Sequence, residues 1–140
     1  LLVFSGLMAG LYGVLGTGVS IYMSDTALLD LQQEARNGME RMTRELRESN
    51  QSVYTNGYAG NGRVIFSTPN EASVQYYLNN NQLMREYPLA TTAKPVAQNI
   101  TSLQFAKSGT LMTVSLQAQK SIYHKTLTFS LAQKVRLRNE

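Results

Sequence analysis

The sequence predicts an α+β protein: a long N-terminal α-helix, greasy in its first half and amphipathic in its second, packed on an antiparallel β-sheet head. Three observations carry this. Residues 1–24 hold no charged side chain. Residues 25–50 place apolar side chains at helical spacing. After residue 50 the apolar period falls to two, the period of a strand. The 140 residues therefore divide into a hydrophobic segment (1–24), an amphipathic helical segment (25–50) and a β head (51–140).

Of residues 1–23, 15 are apolar and the other eight are Gly, Ser or Thr. A helix of that length is ~35 Å long, enough to cross a hydrocarbon core of ~30 Å. Its small residues follow a pattern. Gly6, Gly10, Gly13, Thr17, Ser20 and Ser24 are spaced 4, 3, 4, 3 and 4 apart, so they line one helix face. Such a face lets a second helix approach closely, and Gly6–Gly10 has the GxxxG spacing. Gly6, Gly10, Gly13, Thr17 and Ser20 are therefore the candidate helix-packing residues. The glycine-rich stretch 13–18 is the place where local unwinding is expected.

From Asp25 the pattern changes. Leu28, Leu31, Ala35, Met39, Met42 and Leu46 form a stripe with spacings of 3, 4, 4, 3 and 4. No proline interrupts residues 1–50, so one helix of roughly 49 residues, ~73 Å long, is expected. The charges of this segment, six acids and four bases, suit a solvated face. They also suit pairing between staggered neighbours, with Asp25 and Asp30 of one copy meeting Arg36, Arg41 or Arg44 of another. Within the helix, Glu40–Arg44 has the favourable i,i+4 order, whereas Arg41–Glu45 has the weaker one.

In the head, Tyr54–Gly62 reads as a Gly/Asn connector. Residues 63–67 read as a short strand, and Val74, Tyr76 and Leu78 alternate as a second. Asn79–Asn81 suits a tight turn, because Asn tolerates left-handed conformations, and residues 82–87 return as a hairpin partner. Residues 88–95 read as a loop. Strands follow at 100–106, around Met112, Val114 and Leu116, and over the last segment. There Leu127, Phe129, Leu131, Val135 and Leu137 share one parity. A run of antiparallel strands with one apolar face needs a cover, and the stripe Leu28–Leu46 is available to provide it.

Taken together these residues resemble the type IV pilin-like proteins, most closely the minor pseudopilins of the type II secretion J class and related minor pilins. Leu1-Leu2-Val3 is similar to the prepilin signature just after its glutamate. On that alignment the glutamate and the N-methylated first residue precede Leu1. The segment Ser73–Arg85 is similar to the family's tyrosine-bearing strand, turn and Leu-x-Arg strand, and Val135-Arg-Leu-Arg-Asn139 is similar to a common C-terminus. The resemblance implies a structural filament subunit, held in the inner membrane with its head in the periplasm and processed by a prepilin peptidase. It would then be drawn, with other pilin or pseudopilin subunits, into an extracytoplasmic filament, as a tip subunit that primes assembly.

Composition narrows the alternatives. The absence of cysteine excludes thiol chemistry and disulfides. The single histidine, His124, has no evident acid–base partner in the sequence, so no enzyme, catalytic residue or cofactor is expected. The head's acids are Glu71, Glu86 and Glu140, too scattered for a calcium cage, and no metal site is expected. Bases exceed acids by four overall, and the excess lies in the head. Lys134, Arg136 and Arg138 share one strand face, with Lys120 and Lys125 nearby in sequence. This patch is the feature of an alternative reading, a membrane-anchored binding module whose basic head contacts the phosphates of DNA. Solubilising charge on an exposed strand gives the same pattern.

Overall fold

The computed structural model describes residues 2–49, 54–58, 61–88 and 93–138. Helix α1 (Leu2–Glu48) is unbroken over 47 residues, ~70 Å. It continues through Gly13–Gly18, where unwinding was expected. Thr17 Oγ1 donates to Gly13 O at 2.9 Å, so this hydroxyl is satisfied within the helix. The C-terminus is closed by Ser49, whose hydroxyl and amide both donate to Leu46 O, at 2.6 and 3.2 Å. Arg47 in the last turn complements the helix dipole.

The head has eight strands: β1 (Tyr54–Tyr58), β2 (Asn61–Phe66), β3 (Val74–Asn79), β4 (Gln82–Glu86), β5 (Lys94–Gln98), β6 (Ile100–Ser108), β7 (Leu111–Ile122) and β8 (Lys125–Arg136). They form one sheet in the order β5-β4-β3-β2-β6-β7-β8, with β1 added on β2. The sheet is mixed, which corrects the expectation of an antiparallel head. β2 and β6 meet in parallel at Asn61↔Leu103. Two local features allow this. Asn99, with φ 59°, makes a corner that turns the chain from β5, on the β4 edge, into β6. Gly62 then lets the backbones meet, because a Cβ there would lie 3.0 Å from both Leu103 O and Phe105 Cδ2.

Two further expectations are corrected. Tyr54–Gly62 is not a connector: Tyr54–Tyr58 pairs with Asn61–Ile65 as a hairpin. Its sequence alternates no apolar residues, but backbone pairing does not require that. The segment 88–95 is likewise not all loop, since Lys94 and Pro95 open β5. Pro95 is tolerated there because β5 is an edge strand, where a missing N–H costs no ladder bond. The β3–β4 turn is as expected, with Asn80 and Asn81 at φ 49° and 58°.

The core lies between the second half of α1 and the inner face of the sheet. Ala27, Leu31, Ala35, Met39, Met42 and Leu46 are buried, with Leu28 at the margin. They meet Val64, Phe66, Tyr76, Leu83, Ile100, Leu103, Met112, Val114, Leu116 and Ala118 from the strands, and Leu127, Val135 and Leu137 from β8 and its exit. Burying each large side chain of this kind is worth about 1.5–3 kcal/mol, so the amphipathic half of α1 is held by the head it covers. Gly38 permits the closest approach. A Cβ there would lie 2.9 Å from Ala97 Cβ and 3.1 Å from Leu83 Cδ2.

Candidate functional site

The head covers only half of α1. Val3, Leu7, Leu11, Val14, Leu15, Val19 and Ile21 are all more than half exposed. By length and composition this helix can cross a membrane, and the apolar window that qualifies it has no residue buried in the protein. Three of its hydroxyls are satisfied within the helix itself. Like Thr17, Ser24 and Thr26 donate to the carbonyl four residues back, Ser20 O at 2.9 Å and Tyr22 O at 3.0 Å. Water is not needed to satisfy them.

The small residues Gly6, Gly10, Gly13, Thr17 and Ser20 are all exposed, and a Cβ at any of the three glycines would meet nothing within 4 Å. The space for a close neighbour is therefore present and empty within this chain. The structure adds a relation that the two stripes, read separately, do not show. From Ser24 the small stripe runs on at the same spacing through Ala27, Leu31, Ala35, Gly38, Met42 and Leu46, which the head buries. One helix face thus contacts the head above residue 24 and is bare below it. A helix packing on the small face would approach from the side on which the head overhangs.

Two of the charge candidates, Arg36 and Arg41, make contacts within this chain. Arg36 lies over the Phe129 ring at 5.9 Å from its centroid. Arg41 pairs with Glu45 at 3.7 Å, the weaker of the two orders, and Glu45 also meets Arg85 of the head. Among the described residues no ion pair involves Asp25, Asp30, Arg36 or Arg44, and all four are exposed.

The basic candidates are placed at one end of the sheet. Lys134 and Arg136 lie opposite Thr113 and Leu111 on the outer face of β8, and Arg138 follows just past the strand; all three are exposed. Lys125 is at the far end of β8, nine residues or ~30 Å from Lys134, and Lys120 has the inward parity. The two lysines do not join the patch. His124 sits exposed in the β7–β8 turn. Among the described residues no group of three or more His, Asp or Glu side chains could hold a metal.

A polar cluster that sequence reasoning missed ties the helix to the head. Arg85 of β4 points inward, where its Nε donates to both oxygens of Glu45 of α1, at 3.1 and 3.0 Å. Its Nη2 bonds Glu71 in the β2–β3 loop. Thr68 sets the loop by accepting from the Glu71 amide at 3.1 Å. Burial disfavours the guanidinium charge, but the Glu45 and Glu71 carboxylates outweigh it and hold Arg85 above its ordinary range. Beside it, Tyr76 stacks on Phe66 at 6.1 Å between centroids, and its buried hydroxyl lies near Glu45 with no hydrogen-bond partner of good geometry among the described residues. Burial, reinforced by the negative charge of Glu45, pushes the Tyr76 phenol well above its usual range. On the opposite face Glu86 accepts from Gln75 Nε2 at 2.6 Å and Tyr77 Oη at 3.3 Å. Glu71 and Glu86 therefore serve different partners. This polar chemistry is structural: each group is consumed in holding the helix and strands together.

Comparison of the chain with protein-family models, with curated proteins and with solved structures finds no match.

Proposed function

We propose that this chain is a structural subunit of a type IV pilus-like or type II secretion pseudopilus filament, acting as a minor, tip-located subunit that primes assembly. In this reading residues 1–24 anchor it in the inner membrane, the head stands in the periplasm, and a prepilin peptidase processes it. The observation that carries the reading is the bare half of α1, with its small face continuous with the face that the head buries above it. A helix of this kind is at home in lipid. It can leave lipid only for an equally apolar partner, and close packing on Gly6, Gly10 and Gly13 supplies the dispersion contact that lipid tails do not. Membrane storage and filament assembly then use one surface, and the amphipathic half of α1 links that surface rigidly to the head.

Gly10→Leu tests this. The variant is expected to insert in the membrane as before, because Leu suits lipid, and to lose incorporation into filaments, read by shearing and fractionation. Normal incorporation would count against packing on the small face.

A second reading is favoured by the exposure of Lys134, Arg136 and Arg138 at one end of β8. A membrane-anchored module could take nucleic-acid phosphates there. Binding would be steeply salt-dependent, and replacing all three bases by Gln would flatten the salt slope by about two to three. Weak, salt-insensitive binding to DNA would remove this reading.

A further inference from the structure

We propose that the tip of the β7–β8 hairpin is a membrane-interface anchor that seats in the lipid headgroup layer beside the point where α1 enters the bilayer. The proposal rests on the reading of the charge-free half of α1 as a membrane span.

Its basis is an arm that the rest of the sheet does not accompany. β6 pairs with β7 only as far as Ile100↔Ala118. Gln119 N–H still donates to Asn99 O at 2.9 Å, and beyond it Lys120↔Leu127 to Ile122↔Lys125 continue as a two-stranded ribbon. Three rungs carry it ~10 Å past the third strand. It runs down the helix, and Tyr123 Oη donates to Met23 Sδ at 3.0 Å. Met23 is the last apolar residue before Ser24 and Asp25, so the tip is level with the end of the charge-free run. If that run fills the hydrocarbon core, the tip cannot stand clear of the surface.

The side chains suit that level. Tyr123 is 71% exposed and Tyr22, one residue before the contact point, is 73% exposed. Two rings with apolar bodies and polar ends at one depth match the aromatic belt of a membrane interface. His124 and Lys125 are exposed at the tip, and residues 119–128 contain no acid. The acids nearest in sequence to Met23 are Asp25 and Asp30. Lys120 shares a cleft of about 320 Å³ with Asp30 and Glu34, whereas Lys125 and His124 are exposed at the tip, within reach of phosphate headgroups. Lys125 can lay its stem along the apolar surface and keep its charge at headgroup depth. Seating the tip would fix the tilt of the head on the membrane, because the arm and α1 then touch the surface at two points.

The chain has no cysteine, so single labels can be placed without background. His124→Cys, Ser108→Cys and Val14→Cys variants of the full chain, each carrying an environment-sensitive fluorophore, are reconstituted at low density in phosphatidylcholine–phosphatidylglycerol vesicles. Quenching by headgroup and by mid-chain nitroxide lipids is then measured. Ser108 is ~37 Å away along β7 and serves as the aqueous reference. The label at 124 is expected to be quenched by the headgroup nitroxide severalfold more than the label at 108, and the label at 14 by the mid-chain nitroxide. Equal quenching at 124 and 108, with 14 quenched, would overturn the anchor and leave the span. An unquenched label at 14 would overturn both. Quenching at 124 that fell as protein density rose would show a second copy taking the tip, and would also overturn the anchor as the tip's seat. Lys125→Cys repeats the measurement at the neighbouring position.

Discussion

Gly38 gives the sharpest test of how the helix and head fit, because two general effects predict opposite signs there. On an exposed helix, Gly→Ala stabilises by about 1 kcal/mol. Here the new methyl would lie 2.9 Å from Ala97 Cβ and 3.1 Å from Leu83 Cδ2. Ordinary carbon contacts are ~3.5–4.0 Å, so the surfaces must part by roughly 0.6–1 Å. Leu83 can swing its end away, but the Ala97 methyl is fixed to the β5 backbone. Overpacking of this kind costs about 1–3 kcal/mol, which leaves a net loss of about 1 kcal/mol after the helix gain. With a urea slope of about 2 kcal/mol/M, the midpoint of Gly38→Ala should fall by roughly 0.5 M. The assay is urea unfolding of the full chain in detergent micelles, followed by near-ultraviolet circular dichroism of the head's tyrosines. Adding Ala97→Gly removes the obstructing methyl and should show a favourable coupling of about 1 kcal/mol in the double-mutant cycle. A midpoint that rises by roughly 0.5 M in Gly38→Ala, or a coupling of zero, would refute the close approach of α1 to β4 and β5.

Four other outcomes follow from the same packing. Arg85→Met should lower stability by about 2–3 kcal/mol by the same assay, because it leaves Glu45 and Glu71 facing each other without their shared cation. Glu71→Gln, at a carboxylate one-third exposed, should cost under about 1 kcal/mol. Tyr76→Phe should be neutral or stabilising by up to about 1 kcal/mol, since it deletes a buried hydroxyl without a partner; a loss above that would show a hydrogen bond. The raised Tyr76 phenol also sets an alkaline limit. Its folded form binds the proton more tightly than the unfolded chain, so its contribution is fully present below the ordinary value of 10.0 and is lost as pH rises above it. In absorbance titration Tyr76 should ionise only together with unfolding.

The parts of this fold that sequence revealed are those with a strong local period. The stripe from Leu31 to Leu46 and the parity of Leu127, Val135 and Leu137 were visible because burial on one face imposes 3.6- or two-residue spacing. The Asn80-Asn81 turn was visible because few residues accept positive φ. β1 was hidden because Tyr54-Thr-Asn-Gly-Tyr58 pairs through its backbone with no apolar alternation. β5 was hidden by its shortness and by Pro95. The parallel contact of β2 with β6 depends on the Asn99 corner and on the missing Gly62 side chain, which no periodicity encodes. The same holds at the site. The small face of α1 is a helical pattern and was read directly. The Arg85 partners lie 40 and 14 residues away, and Tyr123 meets Met23 across 100. Gly38 did leave a signal, since a glycine on the azimuth of Ala35 and Met42 marks a point of close approach.

The central claim is that the charge-free half of α1 is kept in the mature protein as a membrane and filament segment. The most direct measurement is the N-terminus of the native protein, by mass spectrometry of the membrane and filament fractions. The account predicts that the mature chain retains residues 1–23 in both fractions, preceded by a short apolar stretch with a glutamate beside it and an N-methylated first residue. Cleavage within residues 1–23, or a basic leader retained ahead of Leu1 with no filament-associated form, would contradict it.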